Sequence, residues 1–405
     1  MNLSVYHDDL SISQYPLEAS YFTNEKLHSL VGYIGSNSKE ENALQIIQAF
    51  YNDSKAILFD HTNKMITQKL QELAVPNFQT QEKIPTLFDN EIFNLIFFTS
   101  GSTGQSVGAL KTKEHLLNEI EVLTQLFKER NINKVIVTVP FIHIYGTLFG
   151  LLYPLMNGLD IILKEHFLPH DLLNLIDEQS LVVTTPLYIK ALNQIEHNED
   201  ISNATFISST APLAPEIAKE FNTKFKCDVI QIFGSTETGG IAYKFNDDSL
   251  WTALDRVNIS TNEDEELNID SPFVSDVLFE NGFKTINGAI QTFDYVELHD
   301  NRQFKLIGRS SQILKIAGKR YSTIQIEHIL EEQPDISKAC VFVTQKENLL
   351  KDEVLEIVLE TKNPYTLKEI KQILKEHLSN LKFSIELKIV DTIPVSSVGK
   401  KLKIL

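Results

Sequence analysis

A regular alternation of short apolar runs and amphipathic segments between Leu95 and Phe233 limits how this chain can fold. The apolar runs have the length of buried strands, and helical periodicity fills the stretches between them. This rhythm predicts an α/β fold in which a mostly parallel sheet is covered by helices on both faces. The predicted strands are Leu95–Phe98, Val135–Val139, Asp160–Leu163, Leu181–Thr184, Thr205–Ser208 and Asp228–Phe233, and the predicted helices lie near 112–129, 146–156, 170–178, 186–195 and 215–226.

The pattern changes in the second half of the chain. Residues 244–305 contain strand-like pieces separated by acidic turns, which predicts a small antiparallel sheet or barrel. After Gly308 strands and helices alternate again, as in a small α+β module. Because 405 residues exceed the usual size of one core, we predict a large domain over 1–308 and a small mobile domain over 309–405.

Composition excludes several classes of protein. A hydrophobic content of 42% and a charged content of 22% are typical of a globular protein. The net charge of −17 argues against general nucleic-acid binding. Cys227 and Cys340 form no disulfide or zinc pattern, so a reducing cytoplasm is the expected compartment. The N-terminus lacks a signal-peptide pattern, and polar residues interrupt the apolar stretch Phe141–Leu163, so we expect no membrane span.

A loop rich in hydroxyl groups and glycine follows the first predicted strand. From Thr99 to Gly108 every residue except Gln105 and Val107 is Ser, Thr or Gly, and Thr112 is the predicted N-cap of the next helix. Backbone N–H groups and hydroxyls in such a loop can bind phosphates. A surface turn is the alternative, and the lysine of a Walker A loop is missing. The candidate phosphate ligands are Thr99, Ser100, Gly101, Ser102, Thr103 and Gly104.

Four more clusters carry polar groups that a nucleotide needs. An apolar strand ends in Gly-Ser-Thr-Glu, where Thr236 can donate to a phosphate and Glu237 can hold Mg²⁺. Asp294 can accept from both hydroxyls of a ribose. Arg309 follows a glycine at the predicted domain boundary, and Lys400 follows a glycine near the C-terminus. Taken singly, each of these clusters could be an ordinary turn or strand edge.

Together the five clusters resemble the adenylate-forming superfamily, which includes acyl-CoA synthetases, aryl-CoA ligases, luciferases and the adenylation domains of peptide synthetases. The resemblance covers residues 90–405. The segments similar to the family's ordered motifs are Phe98–Gly108 (phosphate loop), Phe233–Glu237 (Tyr-Gly-x-Thr-Glu), Thr292–Asp294 (Thr-Gly-Asp), Gly308–Gly318 (Gly-Arg-x-x-x-x-Ile/Leu-Lys-x-x-Gly) and Pro394–Lys403 (Pro-x-x-x-x-Gly-Lys-x-x-Arg).

The resemblance implies a two-step reaction that uses ATP and Mg²⁺. A carboxylate attacks the α-phosphate and releases pyrophosphate, and a thiol of CoA or of a carrier-protein phosphopantetheine then displaces AMP. In this scheme Lys400 draws the carboxylate and the α-phosphate together, and the small domain then rotates about the loop after Arg309. The other roles implied are phosphate binding by the loop and Thr236, metal binding by Glu237, nucleotide contacts by Gly234 and Ser235, and ribose binding by Asp294 and Arg309.

One segment bears on the acid that is activated. Pro140–Gly146 resembles the Pro-x-x-His-x-x-Gly of acyl and aryl ligases, with His143 gating an apolar pocket. A non-amino acid, aryl or fatty, is therefore the predicted substrate, although His143 could be a satisfied core histidine. Two rival readings stay open, namely a pseudo-enzyme that binds a nucleotide or acyl-adenylate without turnover, and an adenylation domain for an amino acid.

The sequence also departs from the family pattern. Ser106 and Val107 replace the proline and lysine of the phosphate loop, and our hypothesis is that Lys111 or Lys113 compensates. Phe293 replaces the glycine before Asp294 and is predicted to crowd the ribose corner. Ser311 occupies the usual hinge position. The chain is short for the family, which suggests a trimmed standalone enzyme, and its oligomeric state is not predicted.

Overall fold

The computed structural model describes residues 1–98, 107–196, 200–286, 288–309, 313–316, 319–345, 353–377, 384–395 and 401. The backbone forms two compact units. Unit 1 is Met1–Asn258 with Ile269–Ile290, and unit 2 is Ile259–Asn268 with Gln291–Leu405. The domain boundary proposed between residues 308 and 309 stays a prediction.

Strands and helices alternate through most of the described chain. The strands up to residue 253 are β1 (Asn2–Tyr6), β2 (Ile12–Pro16), β3 (Val31–Ile34), β4 (Lys55–Leu58), β5 (Leu95–Phe98), β6 (Gly108–Lys111), β7 (Lys134–Val137), β8 (Asp160–Lys164), β9 (Ser180–Thr184), β10 (Thr205–Ser208), β11 (Asp228–Ser235), β12 (Gly239–Phe245) and β13 (Trp251–Ala253). The later strands are β14 (Asn258–Thr261), β15 (Glu266–Asp270), β16 (Val277–Phe279), β17 (Phe283–Thr285), β18 (Ile290–Leu298), β19 (Gln303–Arg309), β20 (Ile313–Ile316), β21 (Lys319–Ser322), β22 (Ile336–Gln345), β23 (Glu353–Thr361) and β24 (Ser384–Val390). The α-helices are α1 (Ala19–Phe22), α2 (Lys39–Tyr51), α3 (Lys64–Glu72), α4 (Lys113–Phe127), α5 (Ile144–Thr147), α6 (Tyr153–Asn157), α7 (Pro169–Leu173), α8 (Pro186–Asn193), α9 (Pro215–Phe225), α10 (Thr323–Glu331) and α11 (Leu367–His377).

Unit 1 is built on two sheets whose central strands are parallel. In the first, the strand order within this unit is β13-β12-β11-β10-β9-β7-β8-β1-β2, and the pairs from β11 through β1 are parallel. The second has the order β17-β16-β6-β5-β4-β3, in which β3, β4 and β5 are parallel. Continuous apolar runs form these strands because helices cover both faces. The predicted α/β class is therefore confirmed.

The stretch after β5 differs from the prediction in one respect. A loop leading directly into a helix was expected, but β6 lies between them and pairs antiparallel with β5. Helix α4 then begins as expected, because the Thr112 side chain accepts from the His115 backbone N–H in a capping box. Its apolar side packs into the core through Leu116, Ile120 and Leu123.

Unit 2 contains the small antiparallel sheet and the α+β module expected from the sequence. Strands β14-β15-β18-β19 are neighbours in that order, and β18 pairs antiparallel with β19. Strands β22-β23-β24 form a separate sheet, whose core is shared with α10 and α11. The predicted small sheet over 244–305 is incomplete, because β16 and β17 join the second sheet of unit 1 instead. Among the helices described, none is both long and apolar enough to cross a membrane.

Candidate active site

The turn between β11 and β12, residues 235–239, carries two of the predicted site residues. The strands pair antiparallel, with Ser235 opposite Gly239, so Thr236 and Glu237 lie at the tip of a hairpin. Ser235 and Thr238 close the turn reciprocally, each backbone N–H donating to the other's hydroxyl at 3.0 and 3.2 Å. Both tip side chains are half-buried. We call residues 235–239 the hairpin turn.

Two glycines, one just before the hairpin turn and one at its end, are required by close packing. A Cβ at Gly234 would lie 2.4 Å from the Gly239 carbonyl oxygen. Gly239 has a positive φ of 73°, and a Cβ there would lie 2.6 Å from Glu119 Oε2. A larger residue at either position would therefore displace the hairpin turn. Gly234 and Ser235, both predicted nucleotide contacts, thus lie beside Thr236 and Glu237 in the structure.

Hydrogen bonds from neighbouring elements fix the backbone at and just beyond the hairpin turn. The carbonyl oxygen of Glu237 accepts from Lys111 Nζ at 3.0 Å and from the Ser275 backbone N–H at 2.9 Å. The Gly240 N–H, just beyond the turn, donates to Glu119 Oε1 at 2.7 Å. Lys111 ends β6 and Glu119 lies on α4, so two neighbouring elements fix the segment that carries Glu237.

Both side chains that hold the hairpin turn are buried charges. Burial lowers the pKa of Lys111 to about 8, against the opposing effect of the charges on Glu119, Glu237 and Asp276. Burial raises the pKa of Glu119, against the charge of Lys111 and the hydrogen bond from Gly240. This pair was not predicted from the sequence. The helical spacing of Glu119 with the apolar residues Leu116, Ile120 and Leu123 nevertheless indicates that Glu119 lies on the buried face of α4.

Both lysines that were expected to compensate for the missing phosphate-loop cation have other partners in the structure. Lys111 lies opposite Leu95 at the end of β6 away from the loop, and its ammonium donates to carbonyl groups, the second being that of Phe273. Lys113 Nζ forms a surface ion pair with Asp53 Oδ1 at 2.6 Å. Because the loop residues 99–106 lie outside the described residues, the compensation hypothesis stays a prediction.

His143 precedes α5 in unit 1 and is half-buried. Burial lowers its pKa, although the charge of Asp60 opposes the shift, so the ring is neutral near pH 7. The adjoining turn is tight, because a Cβ on Gly146 would lie 2.0 Å from the Pro140 carbonyl oxygen. Tyr145 fixes the segment further by donating its hydroxyl to the carbonyl oxygens of Thr184 and Ile207 at the ends of two parallel strands.

Asp294 and Arg309 meet in unit 2. They face each other across β18 and β19, and Arg309 Nε donates to Asp294 Oδ1 at 3.0 Å. The Asp294 side chain is 5% exposed, whereas that of Arg309 is 41% exposed. Phe293 is 70% exposed, because successive strand residues point to opposite faces. The predicted crowding of the ribose corner by Phe293 stays a prediction.

Lys401 is the described residue next to the predicted catalytic Lys400. It forms an isolated bridge with Val395, and its ammonium donates to Glu327 Oε2 at 2.8 Å and Glu331 Oε1 at 2.7 Å. Burial alone would lower the pKa of Lys401, but the charges of Glu327 and Glu331 outweigh burial and raise it. The sequence pointed to this segment through the predicted catalytic Lys400 and did not single out Lys401.

Several predicted residues lie outside the part of the chain that the structure describes. They are Lys400, Ser106, Ser311 and the loop residues Thr99, Ser100, Gly101, Ser102, Thr103 and Gly104. Their assigned roles stay predictions. The structure therefore describes two separate groups of predicted nucleotide ligands, the hairpin turn in unit 1 and the Asp294–Arg309 pair in unit 2.

This chain belongs to the AMP-binding enzyme family, whose model matches residues 32–265. Curated relatives include the peroxisomal OPC-8:0-CoA ligase 1 of Arabidopsis thaliana, which is 23% identical over 76% of this chain and 62% of its own length. The 4-coumarate–CoA ligase of Cereibacter sphaeroides is 24% identical over 60% of this chain and 55% of its own length. The chain thus spans little more than half the length of these relatives.

Solved structures share the fold. The o-succinylbenzoate coenzyme A synthetase (MenE) from Bacillus subtilis, in complex with ATP and magnesium ion, gives a TM-score of 0.80 at 16% identity, covering 98% of this chain and 95% of that one. ATP-bound MatB from Rhodopseudomonas palustris gives 0.75 at 15% identity, covering 98% of this chain and 94% of that one. At such identities the likeness concerns the fold alone.

Proposed function

We propose that this chain activates a non-amino carboxylic acid, aryl or fatty, with ATP and then transfers the acyl group to a thiol. The acid's carboxylate attacks the α-phosphate, pyrophosphate leaves, and an acyl-adenylate forms. The thiol sulfur then attacks the acyl carbon and AMP leaves, which yields a thioester. Family membership and the curated ligase relatives support this reaction type.

The observation that carries the proposal is the hairpin turn with Thr236 and Glu237 at its tip. A hydroxyl and a carboxylate stand side by side just beyond the carboxyl end of β11, where parallel α/β sheets bind their ligands. Phosphoryl chemistry requires mainly positioning and neutralisation of charge. In the proposal Thr236 donates to the α-phosphate, and Gly234 and Ser235 line the nucleotide beside it.

The residues present fit a magnesium ion at Glu237. Among the described residues, no group of three or more His, Cys, Asp or Glu side chains could hold a metal by itself. Mg²⁺ in nucleotide sites takes one or two protein carboxylates and fills its remaining positions with phosphate oxygens and water. One half-buried carboxylate at the hairpin turn meets that need. When bound, the ion would neutralise charge on the phosphates.

Asp294 and Arg309 are proposed to bind the ribose. The Asp294 carboxylate has one oxygen engaged by Arg309, which fixes its orientation for accepting hydroxyl groups. Lys400 is proposed to draw the attacking carboxylate and the α-phosphate together in the first step only. Residues 309–405 are proposed to form the mobile domain that carries this lysine, as the family resemblance implies.

Two features support the substrate class. His143 is half-buried, and because burial lowers its pKa it is neutral near pH 7, which suits a gate to an apolar acid better than a partner for an ammonium group. The curated relatives named above are CoA ligases. CoA is therefore the first acceptor to test, and a carrier-protein phosphopantetheine is the second.

Exchange of labelled pyrophosphate into ATP tests the proposal. We expect exchange only when an aryl or aliphatic carboxylic acid is supplied, because the first step is reversible. Thioester formation should then follow with CoA or with a phosphopantetheinylated carrier protein. ATP binding without exchange for any acid in a broad panel would favour the pseudo-enzyme. Exchange with amino acids alone would favour the amino-acid adenylation domain and overturn the assignment of His143.

A further inference from the structure

Lys111 and Glu119 hold opposite ends of one short segment. Lys111 donates to the carbonyl of Glu237, and Glu119 accepts from the N–H of Gly240. The two anchors are three residues apart, and Gly239 between them has left-handed backbone geometry. The Cα of Gly239 is also packed against the Glu119 carboxylate. The hairpin turn therefore has little room to shift while both contacts persist.

The pair is poorly explained as a contribution to stability. Lys111 is 1% exposed and Glu119 is 2% exposed. Removing two charges from water costs several kcal/mol each, and apolar residues of similar volume often stabilise a core more than a buried ion pair does. Three strand neighbours of Lys111, namely Gly108, Ala109 and Leu110, follow the apolar pattern that the core favours. The Lys111 ammonium instead donates hydrogen bonds to the backbone carbonyls of Glu237 and Phe273, which are far away in sequence.

We propose that Lys111 and Glu119 are positioning residues that hold Glu237 in a fixed geometry for the nucleotide-bound metal ion. This inference rests on the proposed function, because it assumes that Glu237 is a metal ligand. Neither side chain touches substrate. Lys111 acts through the Glu237 carbonyl and Glu119 acts through the Gly240 N–H. A metal ligand supported in this way loses function when its support loosens by about 1 Å.

The test compares four single variants and one double variant of the full chain. Glu119→Met removes the acceptor for Gly240, whereas Glu119→Gln keeps an oxygen at the same place and removes only the charge. Lys111→Met removes the donor to Glu237. Lys113→Met is the matched control, because Lys113 is two residues away and its contacts among the described residues are with Asp53, the Phe50 carbonyl and the Phe50 ring, not with the hairpin turn. Lys111→Met combined with Glu119→Gln covers the case in which Lys111→Met alone fails to fold.

The first readout is amide hydrogen exchange of peptides covering residues 234–242 in the nucleotide-free protein. Loss of a hydrogen bond to a charged group is worth about 1.5–3 kcal/mol, so exchange in Glu119→Met should be about tenfold faster or more. The exchange rates of Glu119→Gln and Lys113→Met should stay within about twofold of that of the unchanged protein. Glu119→Gln keeps an acceptor for the Gly240 N–H, and Lys113→Met does not alter the hairpin turn. Equal exchange rates of these peptides in all the variants would overturn the proposal that Lys111 and Glu119 hold the hairpin turn.

The second readout is the magnesium concentration that gives half-maximal pyrophosphate exchange. We expect it to rise about tenfold in Glu119→Met and Lys111→Met, while the KM for the acid changes less than about twofold. A lower melting temperature with unchanged magnesium dependence would show a merely structural role and overturn the inference. If the unchanged protein catalyses no exchange, the proposed function fails separately, and magnesium-dependent ATP binding by calorimetry decides the role of the pair.

Discussion

Lys111 in unit 1 is buried and Lys401 in unit 2 is half-buried, and the two ammonium groups have different surroundings. The ammonium of Lys111 is bound by the carbonyl oxygens of Glu237 and Phe273, and burial lowers its pKa to about 8. The ammonium of Lys401 is bound by two carboxylates of α10 and by the Ala339 carbonyl, and its pKa is raised because those charges outweigh burial. Each lysine adjoins a segment with a predicted catalytic residue.

The different partners of the two ammonium groups indicate different roles for the two lysines. The charges of Glu119, Glu237 and Asp276 only partly offset the desolvation of Lys111, so burying this lysine costs stability, and we infer that its benefit lies in geometry. Two carboxylates compensate Lys401 fully in charge, so this lysine can stabilise the fold of unit 2. We therefore expect changes at Lys401 to act mainly on stability, and changes at Lys111 to act mainly on the hairpin turn.

The largest expected effect concerns Lys400, the predicted catalytic neighbour of Lys401. Lys400→Ala should lower the rate of acyl-adenylate formation by about 10³-fold, because it removes a cation placed where charge develops. Thioester formation from preformed acyl-adenylate should be largely retained, since the role belongs to the first step. Separate assays of the two half-reactions measure this. Survival of both half-reactions would show that the assignment of Lys400 is wrong.

Lys401→Met should destabilise unit 2 by about 2–3 kcal/mol, because it leaves two partly buried carboxylates close together. Hydrogen exchange of β22 and β23 measures the loss. Lys338→Met is the matched control, because Lys338 pairs with one carboxylate among the described residues, that of Glu360, and is more exposed, at 33% against 26% for Lys401. We expect about 1 kcal/mol for the control. Equal losses for the two variants would remove the distinction drawn for Lys401.

The smallest expected effect is a pH dependence. The folded pKa of Lys401 lies above its ordinary value of 10.5, so its stabilising contribution is fully present below pH 10.5 and disappears as pH rises through the folded pKa. The stability difference between the unchanged protein and Lys401→Met should therefore stay constant from about pH 7 to 10 and shrink above that range. Urea unfolding at several pH values measures it. A difference that shrinks already near pH 8 would contradict the raised pKa.

The sequence predicted the architecture well because its strands are short, continuous and apolar. Leu95–Phe98 and Thr205–Ser208 match β5 and β10 residue for residue. The sequence did not predict β6, because Gly108–Lys111 is only four residues long and ends in a charge. It also did not predict that Leu148–Leu152 forms a π-helical turn between α5 and α6, since no local pattern marks one.

The sequence singled out only some of the residues at the candidate site. Motif order singled out Thr236, Glu237, Asp294 and Arg309 as candidates. The first two lie on the hairpin turn and the last two on one strand pair, while their roles stay predictions. The partners of Lys111 could not be predicted, because the two carbonyls that it contacts lie 126 and 162 residues away. Glu119 could have been recognised, because a carboxylate on the apolar face of a helix needs a buried partner.

Pyrophosphate exchange by Glu237→Gln tests the central claim most directly. We expect the unchanged protein to exchange pyrophosphate into ATP with at least one aryl or aliphatic acid. The variant, which keeps the size of the side chain but lacks its charge, should be slower by on the order of 10²-fold at saturating acid. Exchange by the variant at the unchanged rate would contradict the claim that the hairpin turn is the metal and nucleotide site.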